Sequence, residues 1–235
     1  MQCAVGRAEE MNKVRLKICG LKRACDVSLC YELGVDVAGF VAEYPLPVPW
    51  NLTAEEAKSL LAGVRAPMKS CIVAGGTRNK IIALAEDLHP DYIQLHYHET
   101  LSDAEYIAGA LRTLKIGVVK TLPFSPRDRL AQFGTENIRE CVESLNATGI
   151  RAILVDTRVP SNAARQGTPA DIGLFRQIKG YAQKPVILAG GVTPDNLTQY
   201  LTSAQPDIID IMTGVEESPG VKDKEKLEFV VKHIR

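Results

Sequence analysis

The chain has 235 residues, 46% of them hydrophobic and 24% charged, with 28 lysines and arginines balancing 28 aspartates and glutamates. This length buries a sizeable core and suits one domain, and zero net charge argues against a general nucleic-acid or anionic-membrane binder. No apolar run approaches the ~20 residues that cross a bilayer.

Residues 1–13 carry both signs of charge and no apolar stretch, so they are no signal peptide and read as a flexible N-terminal extension, with Met11 a second candidate start. The six cysteines, at 3, 19, 25, 30, 71 and 141, form no Cys-x-x-Cys pair, and the four histidines complete no zinc spacing. Reduced thiols in a cytoplasm are expected, with no metal.

The alternating run 14–19 is a strand that stops at Gly20, and 24–33 follows with helical spacing closed by Gly34. A second strand spans 35–41. Residues 44–50 hold three prolines and form a loop. Thr53 and Glu56 make a capping box for a helix reaching about Leu61. Strand three spans 68–74 and ends in two glycines, and a helix covers 79–88. Strand four spans 91–96, and a helix capped by Ser102 with Glu105 covers 102–113. Strand five is 116–121, followed by a partly helical stretch 125–135 and a helix at 137–146. Strand six, 151–156, leads into a polar loop at 157–169 and a helix at 171–180. Strand seven is 185–189 with a helix at 195–202, and strand eight is 207–211 with a last helix at 223–233.

Eight alternations at roughly 25–30-residue spacing, with strands rich in Val, Ile and Leu, indicate parallel strands buried on both faces. The fold expected is an α/β (β/α)8 TIM barrel, a single domain over 14–235. An open doubly wound sheet fares worse, because no Gly-x-Gly-x-x-Gly follows strand one.

Barrel chemistry gathers where the strands end. Those ends carry Cys19, His96, Lys120, Asp156 and Asp210, a polar set unlike the usual apolar strand terminus. Lys17 lies two residues before Cys19, and a thiol beside a cation is held partly as thiolate, which can act as a base. Asp156 in a dry pocket would keep a proton to give. The Gly190–Gly191 and Thr213–Gly214 turns follow strands seven and eight, where backbone N–H groups and a helix start can cradle a phosphate. His96 and His98 alternate along the chain and lack a third ligand, so no metal site is assigned.

Several stretches in order resemble phosphoribosylanthranilate isomerase of tryptophan biosynthesis. They are Lys-Ile-Cys-Gly-Leu-Lys-Arg at 17–23, Gln-Leu-His at 94–96, Leu-Val-Asp-Thr at 154–157, Leu-Ala-Gly-Gly at 188–191 and Gly-Val-Glu-Glu-Ser-Pro-Gly-Val-Lys-Asp at 214–223. The resemblance implies a cofactor-free Amadori rearrangement, an aldose–ketose isomerisation, with Cys19 as general base and Asp156 as general acid. It places the phosphate on Gly190, Gly191, Thr213 and Gly214, and Asp210 near the bridging amine. Lys17, His96, Lys120 and Arg158 complete the expected pocket. The expected partner is a phosphorylated sugar, with no nucleic acid and no membrane, and the chain is expected to be a monomer or homodimer.

The chain departs from the family in the loop after strand two. The family carries an arginine there for the anthranilate carboxylate, and residues 43–50 hold no cation. Arg158 and Arg165 are the candidates to replace it. Two alternatives stay open: a paralogue acting on another sugar phosphate, and a non-catalytic barrel that binds a phosphometabolite.

Overall fold

The computed structural model describes residues 14–156 and 170–235. Eight parallel strands form the barrel: β1 (Arg15–Ile18), β2 (Val37–Ala42), β3 (Lys69–Ala74), β4 (Tyr92–Leu95), β5 (Gly117–Pro123), β6 (Ala152–Asp156), β7 (Val186–Ala189) and β8 (Ile208–Ile211). β1 pairs with both β2 and β8, which closes the ring. Closure leaves no strand edge in the ring unpaired, and the alternation expected from the sequence is the barrel observed.

Nine helices are assigned among the described residues: α1 (Ala24–Glu32), α2 (Ala54–Leu61), α3 (Arg78–Leu88), α4 (Leu101–Leu111), α5 (Pro126–Phe133), α6 (Ile138–Ala147), α7 (Ile172–Tyr181), α8 (Pro194–Gln199) and α9 (Lys224–Ile234). The Thr53–Glu56 capping box starts α2 as expected. α4 starts earlier than its pattern suggested. Thr100, not Ser102, caps it, because Thr100 Oγ1 accepts the Asp103 N–H while the Asp103 carboxylate accepts the Thr100 N–H. Strand β2 starts at Val37 rather than Val35, whose N–H is still donated to the Cys30 carbonyl of the preceding helix.

The partly helical stretch after β5 contains a full helix, α5, with Ser125 as its cap and Gly134 in the left-handed conformation closing it. α8 is shorter than the expected 195–202 helix. It ends at Gln199 and widens into a π turn over Tyr200–Ala204. A short strand, Asn51–Leu52, extends the sheet beside β2, and a two-stranded hairpin joins Glu216–Ser218 to Val221–Lys222.

The main apolar core lies between strands and helices, with Leu16, Ile18, Phe40, Ile72, Ile93, Leu95 and Ile153 fully buried. A second cluster (Val119, Ala152, Leu154, Ile187, Ala189, Ile208) fills part of the bore. A third covers the C-terminal mouth: Cys19, Val41, Tyr44, Trp50, Val73 and Met212. The extension at 1–13, the Met11 start and the 157–169 loop, with Arg158 and Arg165, lie outside the described residues.

Candidate active site

Cys19 follows β1 and donates its N–H to the Ile211 carbonyl of β8 at 2.9 Å, which fixes the thiol over the bore. Its room comes from Gly39 on β2. A Cβ on Gly39 would lie 3.0 Å from both the Cys19 Cα and its Sγ. A lone glycine inside an apolar strand is a sequence signal for such a close approach, and it escaped the reading above.

Two residues earlier, Lys17 shares the inward face with Cys19. Register sets it opposite Asp210, and its Nζ meets Asp210 Oδ2 at 2.6 Å with both side chains buried. Burial alone would lower the ammonium pKa; the Asp210 carboxylate, with smaller help from Cys19, overrides it and holds Lys17 charged. Asp210 Oδ1 is buried with no hydrogen-bond partner among the described residues, and Asp210 lines the cavity beneath Cys19.

Across the ring, Asp156 ends β6 almost fully buried, with His96 Nε2 3.0 Å from its Oδ2. Tyr44 Oη donates to the His96 carbonyl at 2.8 Å, so the loop after β2 orients the histidine. Cys19, Gln94, His96 and Asp210 meet in one cavity at the C-terminal end, roofed by Val41, Tyr44, Val48, Trp50, Val73 and Met212. The roof fills most of the mouth and leaves about 40 Å³. No lysine or arginine of the described residues lines this cavity.

The roof loop is strapped from outside. Lys22 Nζ donates to the Pro49 carbonyl at 2.9 Å, and Lys80 Nζ to the Glu43 carbonyl at 2.7 Å. Trp50 Nε1 donates to Glu216 Oε1 at 2.9 Å, and Lys222 Nζ donates to the same oxygen at 2.7 Å and to the Met212 carbonyl at 3.2 Å. That chain ties the roof to the turn after β8.

The glycine turns after β7 and β8 are packed together. Gly190 and Gly191 are left-handed, with φ of 92° and 60°. A Cβ on Gly214 would sit 1.8 Å from the Val192 carbonyl oxygen, so only glycine fits there. Thr213 and Gly214 line a cavity of about 610 Å³ together with Thr193 and Trp50. The Gly191 carbonyl is taken by Asn196 Nδ2 at 2.8 Å. The helix expected to add its start to this cradle contributes little, since α8 spans six residues and begins with a proline that lacks an N–H.

Two expected pocket residues lie elsewhere. Lys120 points out of the bore, because Val119 on the adjacent position faces inward into the bore cluster. Its Nζ donates to Gln132 Oε1 of α5 at 2.7 Å and lies 5.7 Å from the Phe133 ring centroid. Lys17 faces inward but lies one layer below Cys19 and lines a cavity at the opposite mouth. Arg158 lies outside the described residues.

The family model for N-(5'-phosphoribosyl)anthranilate isomerase matches residues 16–233. The chain belongs to the phosphoribosylanthranilate isomerase family. The enzyme of that name from Azotobacter vinelandii is 32% identical over 227 residues, 96% of this chain and 99% of its own length. The one from Methanosarcina acetivorans is 28% identical, covering 95% of this chain and 94% of its own. The crystal structure of the Thermotoga maritima enzyme superposes with a TM-score of 0.76 at 26% identity, covering 94% of this chain and 98% of that one. A crystal structure of the family's enzyme holding reduced 1-(o-carboxyphenylamino)-1-deoxyribulose 5-phosphate matches with a TM-score of 0.73 at 25% identity, covering 94% of this chain and 98% of that one. Membership makes this chain an enzyme of the aldose–ketose isomerase type. No helix of the described residues is long and apolar enough to cross a membrane.

Proposed function

We propose that the chain converts N-(5'-phosphoribosyl)anthranilate to its 1-deoxyribulose isomer, with Cys19 as general base and Asp156 as general acid. The observation that carries this reading is their placement. Cys19, just past the end of β1, and Asp156, at the end of β6 and hydrogen-bonded to the His96 imidazole, stand at the same C-terminal mouth, three strands apart around the ring. Asp156 protonates the furanose ring oxygen, the C1′–O bond breaks, and the nitrogen lone pair forms an iminium. The Cys19 thiolate takes the C2′ proton, and the C–H electron pair forms the C1′=C2′ enolamine. Reprotonation at C1′ with loss of the C2′ hydroxyl proton gives the ketone, so proton count and oxidation level balance.

His96 holds the Asp156 carboxyl in one orientation, and Lys17 anchors one oxygen of Asp210 and leaves the other for a donor on the substrate. The turn of Thr213 and Gly214, with the adjoining glycines 190 and 191, takes the phosphate. We place the enzyme in the cytoplasm as a monomer or homodimer, a reading supported by the Thermotoga maritima relative described as dimeric. Complementation of an auxotroph lacking this isomerase is the test. Growth that Cys19→Ser or Asp156→Asn abolishes is expected, and failure of the unmutated chain to complement would overturn the substrate.

A second reading keeps the chemistry and changes the aglycone. It is favoured by the apolar roof over Cys19, which offers a carboxylate no cation among the described residues. A charge-assisted hydrogen bond contributes ~1.5–3 kcal/mol. If Arg158 or Arg165 supplies it, alanine there raises KM for phosphoribosylanthranilate and leaves phosphoribosylaniline unchanged. A wild-type preference for the aniline substrate would instead establish the second reading.

A further inference from the structure

The bore has a second cavity at its other end. It measures about 300 Å³, within the range of small-ligand sites, and is lined by Arg15, Lys17 and Arg151 with Tyr92, Ile187 and Ile208 among its walls. No aspartate or glutamate lines it among the described residues. A neutral chain has therefore gathered three cations around one concavity.

The nearby acids are already engaged. Asp36 accepts the Leu16 N–H and pairs with Arg235; Asp91 pairs with Lys69 and caps Ser70; Asp207 pairs with Lys179 and accepts the Val186 N–H. Arg15 and Arg151 are exposed, and neither guanidinium has a hydrogen-bond or ion-pair partner among the described residues. Lys184, besides being lowered by partial burial, is lowered by the Arg151 charge, so that field extends along this rim.

Lys17 forms the floor. It is 2% exposed, and Asp210 is its one hydrogen-bond partner among the described residues. An ammonium carries three donors, so two remain beyond the one Asp210 takes, at a residue that lines the cavity. A guanidinium rim, an apolar wall and a buried donor at depth recognise an anion with an apolar body and a second acceptor. A bare inorganic anion would leave the wall unused.

We propose that the N-terminal mouth of the barrel binds a small organic carboxylate bearing a second oxygen, a hydroxycarboxylate or dicarboxylate, with the carboxylate on Arg15 and Arg151 and the second oxygen towards Lys17. The site is separate from the catalytic mouth, and the inference does not depend on the substrate assigned above. Gln94 lines both cavities and forms part of the wall between them.

Salicylate, benzoate and inorganic phosphate titrated into the full chain test this, read by calorimetry and by methyl NMR of isoleucines. Salicylate is expected to bind at one site more tightly than benzoate and phosphate, and to shift the Ile187 and Ile208 methyls. Arg15→Gln and Arg151→Gln should each weaken it by roughly tenfold or more. Both residues are exposed, so melting temperatures near wild type confirm folding, and a single variant that unfolds leaves the other to decide. Unchanged salicylate affinity in the double variant, or no saturable binding, would overturn the proposal. Shifts confined to residues of the catalytic roof would overturn it equally.

Discussion

Gly39 and Cys19 show how much of the proposed catalytic geometry rests on one missing methyl group. With Cys19 Cα and Sγ each 3.0 Å from where a Cβ would stand, Gly39→Ala must displace backbone as well as thiol. Overpacking of this kind costs ~1–3 kcal/mol. The expected result is a melting temperature lowered by several degrees and kcat/KM reduced by a larger factor, since the thiol itself moves. Equal activity in the variant would show that Cys19 needs no fixed position. At the same scale, Lys17→Met removes the only cation paired with Asp210 among the described residues and should destabilise the fold by ~3–5 kcal/mol, read by denaturant titration. The positions of Cys19, Asp156 and the glycine turns at the strand ends were legible because each follows or closes an unmistakable strand. Lys120 was misread for a physical reason. Strands of a parallel barrel are apolar on both faces, so 116–121 shows no alternation that would say which side faces the bore.

At the scale of elements, α5 gives Lys120 its environment. Lys120 is 1% exposed, and burial pushes its pKa down to about 8, only partly offset by Glu99 and Asp103. The unfolded chain keeps that proton up to the ordinary lysine value of ~10.4. Between those values the unfolded state binds more protons, so the native state gains stability as pH rises. Wild-type stability should carry a rising contribution from about pH 8 to ~10, of up to ~3 kcal/mol, that Lys120→Met abolishes. Denaturant midpoints across that window measure it, and parallel curves would show that Lys120 is not buried under α5. α4 offers a simpler case. Thr100→Ala should cost ~1 kcal/mol through loss of its cap, whereas Ser102→Ala should be near neutral. The sequence pointed to the wrong residue because Ser102 and Thr100 each have an acid three positions on.

Across the whole molecule, the two mouths of one bore are built oppositely. The C-terminal mouth is roofed by apolar side chains over buried acid, imidazole and thiol; the N-terminal mouth is cationic and holds the roomier cavity. The barrel itself was readable from eight repeats of strand and helix, since that rhythm depends on local pattern alone. The roof was not, because it depends on Tyr44 reaching the His96 carbonyl and Trp50 reaching Glu216, contacts across 52 and 166 positions of chain.

Trp50 is the single tryptophan of the chain, and it lines both the cavity beneath the roof and the one beside Thr213 and Gly214. All indole emission therefore originates at the partition between the cavity beneath Cys19 and the cavity beside Thr213 and Gly214. A ligand in either compartment should change the intensity or wavelength of intrinsic fluorescence without any label. Rapid mixing would time that change directly, and Trp50→Phe would silence the signal while keeping an aromatic ring in place.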